Sequence, residues 1–312
     1  MPPVDRKNPI RAASSESSHS VMEFMREFPD DEACLQWLWR SRFSEDGEHA
    51  WCDKCRKRRT FRRYVTTPRT QTWTCTSCTH KISPTAGTIF HKSSTSLHLW
   101  FYAMWIITST RCGVSAKQLE RELGVTYKTA WRMFNLIRNR LMGDEEKEQL
   151  SGIVEVDETY VGAKNKRGTP RGRPGYGSHK TAVFGAVERG GRVVARVIPD
   201  STAATLRGSI QTHVLPKSTI FTDEYQPYRR ITRDGYYHRR VNHSQDIYVS
   251  GEVHTNTIEG FFSLVKSGLR GSYHSVSRKW LQGYLNEYAW RYNHRDDEAA
   301  MFKTLLLRAT VS

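Results

Sequence analysis

Three acidic residues stand where a carboxylate could act on a ligand. Asp157 in "VEVDETYVG" and Asp223 in "IFTDEY" each follow β-branched residues, which predicts a strand whose end carries the acid to a sheet edge. Glu259 in "HTNTIEGFFSLVK" opens a predicted helix, with 35 residues between it and Asp223. Lys266 follows seven positions later, close to two turns, so acid and base project from one face about 10 Å apart along the axis. That is too far for a simple ion pair. Each acid alone has a structural alternative: either Asp could end a strand in a turn, and Asn256 with Glu259 has the form of a capping box. Three carboxylates brought together would instead repel, raising the pKa of at least one. A pair of hard cations removes that conflict. Two Mg²⁺ (or Mn²⁺) ions roughly 3.5–4 Å apart can activate a water or a 3′-hydroxyl and stabilise the leaving oxygen of an in-line displacement at phosphorus.

A second constellation is made of sulfur. Cys52 and Cys55 in "CDKC", and Cys75 and Cys78 in "CTSC", are separated by 19 residues. Two such knuckles present four thiolates that close tetrahedrally on one structural Zn²⁺ and leave no open position for catalysis. Cys34 and Cys112 stand alone and are expected in the core. Between the knuckles lie Arg56, Lys57, Arg58, Arg59, Arg62, Arg63 and Arg69, no acid, and the aromatic residues Phe61, Tyr64 and Trp73. On a small metal-stapled sheet this alternation suits a ribbon that contacts phosphates, with Arg58, Arg59, Arg62 and Arg63 as the candidates; a merely solvated face is the alternative.

The balance of charge points to the same class of partner. The chain has 312 residues, with 48 Lys and Arg against 32 Asp and Glu, for a formal charge of +16. This is the footprint of a protein that meets many phosphates. An anionic membrane would need an amphipathic or lipidated anchor, and none is evident. No run of eighteen apolar residues occurs and the N-terminus lacks the apolar core of a secretory signal, so a cytoplasmic location without membrane association is expected.

The elements that must position these residues follow in order. Residues 1–20 are Ser-rich and read as a disordered tail. Residues 21–49 carry a helical pattern with Phe24, Phe28, Leu35, Leu38 and Trp39, broken near Pro29, and read as a small docking element. Residues 50–92 are the zinc ribbon. Residues 93–145 hold a Trp-rich helix and then helix-turn-helix grammar: Ser115 with Gln118 as a capping box, a stop at Gly124, and Thr126 as the next cap. Ala130, Phe134, Ile137 and Leu141 then repeat at helical spacing. The second of these helices offers Tyr127, Lys128, Arg132 and Arg138 to a DNA groove, although an ordinary helical hairpin has the same pattern. Residues 150–300 change to three strands, a helix, a strand and two helices, an α/β layer with a mixed sheet. Residues 301–312 are expected as a tail. Within residues 150–300 the loop 162–180 holds six Lys or Arg and no acid. Lys164, Lys166, Arg167, Arg171 and Arg173 are expected there to clamp a DNA backbone.

An acid on a first strand, another on a fourth strand and a third on a later helix resembles the ribonuclease-H-like core of the transposase and integrase superfamily. More narrowly the chain is similar to the zinc-ribbon insertion-sequence transposases of bacteria related to the Merlin elements, through "VEVDETYVG", "VFGAVERGG", "TDEYQPY", "VNHS" and "HTNTIEGFFSLVKSGLRGSYH", over about residues 22–295. The resemblance implies a DDE-type transposase that recognises terminal inverted repeats and then cleaves and joins strands. In it Asp157 would bridge both Mg²⁺ ions, with Asp223 on one and Glu259 on the other. Lys266 and then Arg270 would touch phosphate near the scissile bond. Relatives do not always carry a carboxylate third, so Asn256 is the alternative ligand. Pairing two element ends implies a homo-oligomer acting on double-stranded DNA, both element ends and target. His238, His243 and His254 are read as structural. Glu155, Glu158 and Glu224 are read as alternating off the strand face or flanking it. Two other classes stay open: a non-enzymatic zinc-ribbon and helix-turn-helix regulator, and a nuclease on the same fold.

Overall fold

The computed structural model describes residues 19–67, 70–110, 112–143, 149–162, 180–241, 254–274, 276–297 and 299–311. The expected N-terminal tail (apart from its last residues), Arg69, the basic loop with Lys164, Lys166, Arg167, Arg171 and Arg173, and the "NHS" at 242–244 lie outside the described residues. Two compact units divide the chain, one of residues 1–141 with 295–312 and one of residues 142–294. No helix among the described residues is long and apolar enough to cross a membrane.

In the first unit, α1 (Val21–Glu27) starts at a capping box between Ser20 and Glu23, and α2 (Asp31–Arg42) starts on the Asp30 carboxylate, which accepts from the Ala33 N–H. Four antiparallel strands follow, β1 (His49–Cys52), β2 (Lys57–Thr67), β3 (Thr70–Cys75) and β4 (Lys81–Ile82), in that spatial order. Leu35 and Trp39 of α2 share a core with Phe61 and Trp73 of the sheet, and the Trp39 and Trp73 rings stack 4.8 Å apart at 12°. This stacking is what fastens the docking element to the ribbon. Next come α3 (Leu97–Ser109), α4 (Ala116–Leu123) and α5 (Tyr127–Leu136), which continues as one π-helical turn through Leu141. Ser115 and Thr126 cap α4 and α5, accepting from the Gln118 and Thr129 N–H groups, and Gly124 ends α4 at φ 62°.

Two expectations fail in this unit. Residues 301–312 are no tail: Met301–Arg308 form a further helix whose Met301, Phe302, Leu305 and Leu306 are buried, with Phe302 against Phe24 and Phe28 at 5.6 and 6.0 Å. Cys112 is exposed, not part of the core.

The second unit is an α/β layer. Its strands β5 (Ile153–Val161), β6 (Thr181–Glu188), β7 (Val193–Val197), β8 (Thr219–Thr222) and β9 (Tyr237–Arg240) lie in the order β7-β6-β5-β8-β9. β5 pairs antiparallel with β6, and β6 with β7, whereas β8 is parallel to β5 and β9 to β8. This is the mixed sheet with helices on both faces that the resemblance to a ribonuclease-H-like core implies. Alternation along β5 sorts the two cores. Val154 and Val156 face α6 (Ala203–His213), packing with Leu206 and Ile210. The opposite face meets α7 (Asn256–Gly271) and α8 (Arg278–Asn293) through Val183, Ile258, Phe262 and Leu285.

Candidate functional site

Asp157 sits in the middle of β5, not at its end, opposite Gly185 of β6. It is nevertheless accessible, because β8 pairs only with the first part of β5: Ile153 with Thr219, Val154 with Ile220 and Glu155 with Phe221. Two steps further along the same parallel register stand Asp157 on one side and Asp223, the first residue beyond β8, on the other. A long strand outrunning a short one thus sets two acids side by side. Asp157 Oδ1 accepts from the Glu158 N–H at 2.8 Å, and Asp223 Oδ1 from the Tyr225 N–H at 2.9 Å.

Helix α7 brings the third acid across this face. Glu259, Ser263, Lys266, Ser267 and Arg270 form one stripe of the helix, at the spacing of successive turns, and with Asp157, Glu158 and Thr159 they line an open cleft of about 390 Å³. Gly185 permits the close approach of the helix. A Cβ there would lie 2.5 Å from Phe262 Cζ and 2.8 Å from Ile258 Cδ1. The expected capping box does not form: the N-cap is Thr255, and its hydroxyl donates to Glu259 Oε1 at 2.7 Å, while Asn256 is exposed and absent from the cleft lining.

The electrostatics record crowding. Burial, and then the charges of Glu158, Asp223 and Glu259, push the Asp157 carboxyl up to about 8. Burial likewise lifts Glu158 to about 7, helped by the charge of Asp223, against a hydrogen bond from the buried Tyr228 hydroxyl to Glu158 Oε2 at 2.6 Å. Glu158 has the parity of Val154 and Val156, so its carboxyl lies on the α6 face with Tyr228 and off the Asp157 face, as its neighbouring position predicts; it edges the cleft and acts on Asp157 through its charge. Glu155 departs from the same expectation: it shares the Asp157 face of β5, two residues away, and is completely buried. His238 is held down to about 4 by burial and by Arg240, and its Nε2 meets the Thr222 hydroxyl at 2.9 Å, a structural role.

The sulfur site is tighter than the acidic one. Among the described residues, Cys52, Cys55, Cys75 and Cys78 are the one group of three or more ligating side chains whose donor atoms all lie within 4.8 Å of one another. Burial raises the Cys75 thiol, but N–H groups of Ser77 and Cys78 outweigh it and bring the group down to about 7. Four free thiols so arranged, one already leaning toward thiolate, fit a tetrahedral Zn²⁺.

Residues 149–293 match the ISXO2-like transposase domain. A protein of Halobacterium salinarum, described as an uncharacterized protein in transposable element ISH50, is 31% identical over 255 residues, 77% of this chain and 84% of that protein. The chain belongs to the ISXO2-like transposase family. An uncharacterized transposase-like protein of Haemophilus influenzae is 28% identical over 105 residues, 34% of this chain and 84% of that one. Among solved structures, the Mos1 strand transfer complex is similar at 13% identity with a TM-score of 0.31, over 66% of this chain and 73% of that one.

In this transposase-family chain the basic candidates divide by strand parity. On β2 the side chains of Arg58, Arg62 and Tyr64 point outward, while Arg59 and Arg63 flank the buried Phe61 on the inner side. Arg63 is held internally by Glu32, by Gln71 (Nε to Oε1, 2.8 Å) and over the Trp73 ring at 5.9 Å. On α5, Tyr127, Lys128 and Arg132 are exposed, but Arg138 is buried with its guanidinium 3.4 Å from the Phe134 ring centroid, so it is not presented to a groove.

Proposed function

We propose that the chain is a DDE-type DNA transposase, which binds terminal inverted repeats through its ribbon and helix-turn-helix and cuts and joins strands at the Asp157, Asp223 and Glu259 cluster. The observation that carries this reading is the register that sets Asp157 beside Asp223 under the helix bearing Glu259. Burial first, and then the charges of Glu158, Asp223 and Glu259, raise Asp157 to about 8, a conflict that bound cations would relieve. These oxygens are hard donors of the kind that suit Mg²⁺ or Mn²⁺. Two such ions, held by Asp157 in common with Asp223 on one and Glu259 on the other, would supply nucleophile activation and stabilisation of the leaving oxygen.

The other groups act on the substrate. Lys266 and Arg270 extend the Glu259 stripe and give the DNA backbone two cationic contacts that position the scissile phosphate without reading bases. Glu259, rather than Asn256, is the third ligand, because it faces the cleft and its charge acts on Asp157. Arg58, Arg62, Lys128 and Arg132 supply sequence-end binding, Zn²⁺ holds the ribbon, and pairing of two ends requires at least a dimer working on cytoplasmic DNA.

The test is strand cleavage and joining on a labelled inverted-repeat duplex with Mg²⁺. Asp157→Ala, Asp223→Ala and Glu259→Ala should abolish both steps and Asn256→Ala should leave them. Loss with Asn256→Ala and retention with Glu259→Ala would reassign the third ligand; activity in both Asp variants would refute the catalytic reading.

A further inference from the structure

The geometry points to Glu155 as a positioning residue that sets the depth of α7, and with it Glu259, against the strand carrying Asp157. Glu155 has no exposed surface, and every oxygen of its carboxylate is used. Oε2 accepts the backbone N–H of Thr257 at 2.8 Å and of Ile258 at 3.2 Å; Oε1 accepts the Thr257 hydroxyl at 2.9 Å and Arg189 Nε at 2.9 Å.

These are the amides that a helix cap normally satisfies. Thr255, the N-cap of α7, makes no such bond from its own side chain; its hydroxyl goes to Glu259. The first turn of α7 is therefore capped by a strand more than 100 residues away in sequence, and the carboxylate also meets the positive end of the helix dipole. Glu259 follows Ile258 directly. A shift in the grip on Ile258 moves the third acid.

Arg189 extends the linkage. Its Nε pairs with Glu155, its Nη2 donates to the His254 carbonyl at 3.1 Å, and its guanidinium lies 4.7 Å from the Phe221 ring centroid, two residues before Asp223. One ion pair, its acid fully buried and its arginine partly so, thus touches β5, β8 and the approach to α7, the three elements bearing Asp157, Asp223 and Glu259. A hydrophobic pair could hold these elements together as well, but it would not give the amides of Thr257 and Ile258 fixed, directional acceptors. The inference rests on the reading that these three acids hold divalent cations.

The experiment compares the full-length, zinc-loaded wild type with Glu155→Gln, Thr257→Val and Asp157→Ala. Mn²⁺ uptake without DNA is followed by the loss of free-ion electron paramagnetic resonance signal. Hydrogen exchange is read over residues 255–260. Glu155→Gln keeps the shape but turns an amide NH₂ toward donors, so its Mn²⁺ Kd should rise by roughly 10–100-fold. The amides of Thr257 and Ile258 should exchange faster, and strand cleavage should recover at high Mn²⁺, with kcat nearly intact. Thr257→Val removes one of the bonds without touching the charge and should raise the Kd a few-fold in the same direction, which keeps the inference testable if Glu155→Gln fails to fold. Wild-type Mn²⁺ affinity in a folded Glu155→Gln, or in Thr257→Val, while Asp157→Ala loses binding, would overturn the positioning role alone. If the wild type takes up no more Mn²⁺ than Asp157→Ala, the cation reading fails and the positioning role falls with it.

Discussion

The two candidate metal centres of this chain are opposites in construction. In the ribbon, four sulfur atoms already lie within 4.8 Å of one another, two of them buried, on turns held by short antiparallel strands. In the second unit the acids come from a central strand, the end of its parallel neighbour and a helix; Asp157 and Glu259 line an open cleft, and the charge of Asp223 beside it also acts on Asp157. With zinc bound, the first arrangement would make the metal part of the fold itself; the second would need none to fold and would hold a charge conflict that a bound cation relieves. A structural centre and a working centre thus differ less in ligand number than in whether the scaffold depends on the ion.

Removing zinc should therefore produce the largest effect. Chelation or Cys75→Ser should unfold the ribbon, since structural zinc contributes on the order of 10 kcal/mol in small modules. Loss of the stacked Trp39 and Trp73 environment in fluorescence would report it, while the sheet of the second unit persists. Survival of that signal after zinc release would erase the contrast.

At the acidic centre the sign reverses. Asp223→Asn should lower strand cleavage by more than the roughly 10–100-fold typical of a supporting residue, yet should not lower the melting temperature measured without Mg²⁺, because it deletes a charge that burdens Asp157. The same raised group dictates a pH dependence. With its folded pKa near 8, above the usual carboxylate range, Asp157 keeps a proton in the native state that the unfolded chain has released. Its contribution to stability is complete below about pH 4 and is lost as pH rises toward 8. Added Mg²⁺ should stabilise the protein increasingly over that window. Thermal melts from pH 5 to 9 with and without Mg²⁺ measure both, and a Mg²⁺ effect that shrinks with pH would contradict the assignment.

Gly185→Ala should have a smaller cost, about 1–3 kcal/mol by overpacking against Phe262 and Ile258, read in chemical denaturation. Smallest is Arg62→Ala, which should leave stability alone and reduce the salt slope of DNA binding by about 1. Arg63→Ala should instead loosen the ribbon, having lost Glu32 and Gln71. Equal behaviour of the two arginines would show that strand parity does not sort them.

What could be read directly from residue order was the local part. Paired knuckles announce a metal because four sulfurs need only two short turns to meet, and the caps at Ser115 and Thr126 act over three residues. The acids were legible as strand and helix positions, but not the register that joins them, which depends on β8 being shorter than β5. Glu155 escaped because its partners lie about 100 residues downstream, although its two-residue spacing from Asp157 already put both on one face. The short, polar "YHRR" of β9 carries no strand pattern and reads as loop. Met301, Phe302, Leu305 and Leu306 carry the helical spacing that a tail would lack.

That last helix has a practical bearing on how the molecule can be taken apart. Because its apolar stripe belongs with the aromatic cluster of Phe24 and Phe28, a fragment ending at residue 141 would be left with an uncovered greasy seam. The first unit becomes a well-behaved object only when residues 295–311 are grafted back through a short tether, whereas residues 142–294 form a continuous stretch that can be excised in one piece.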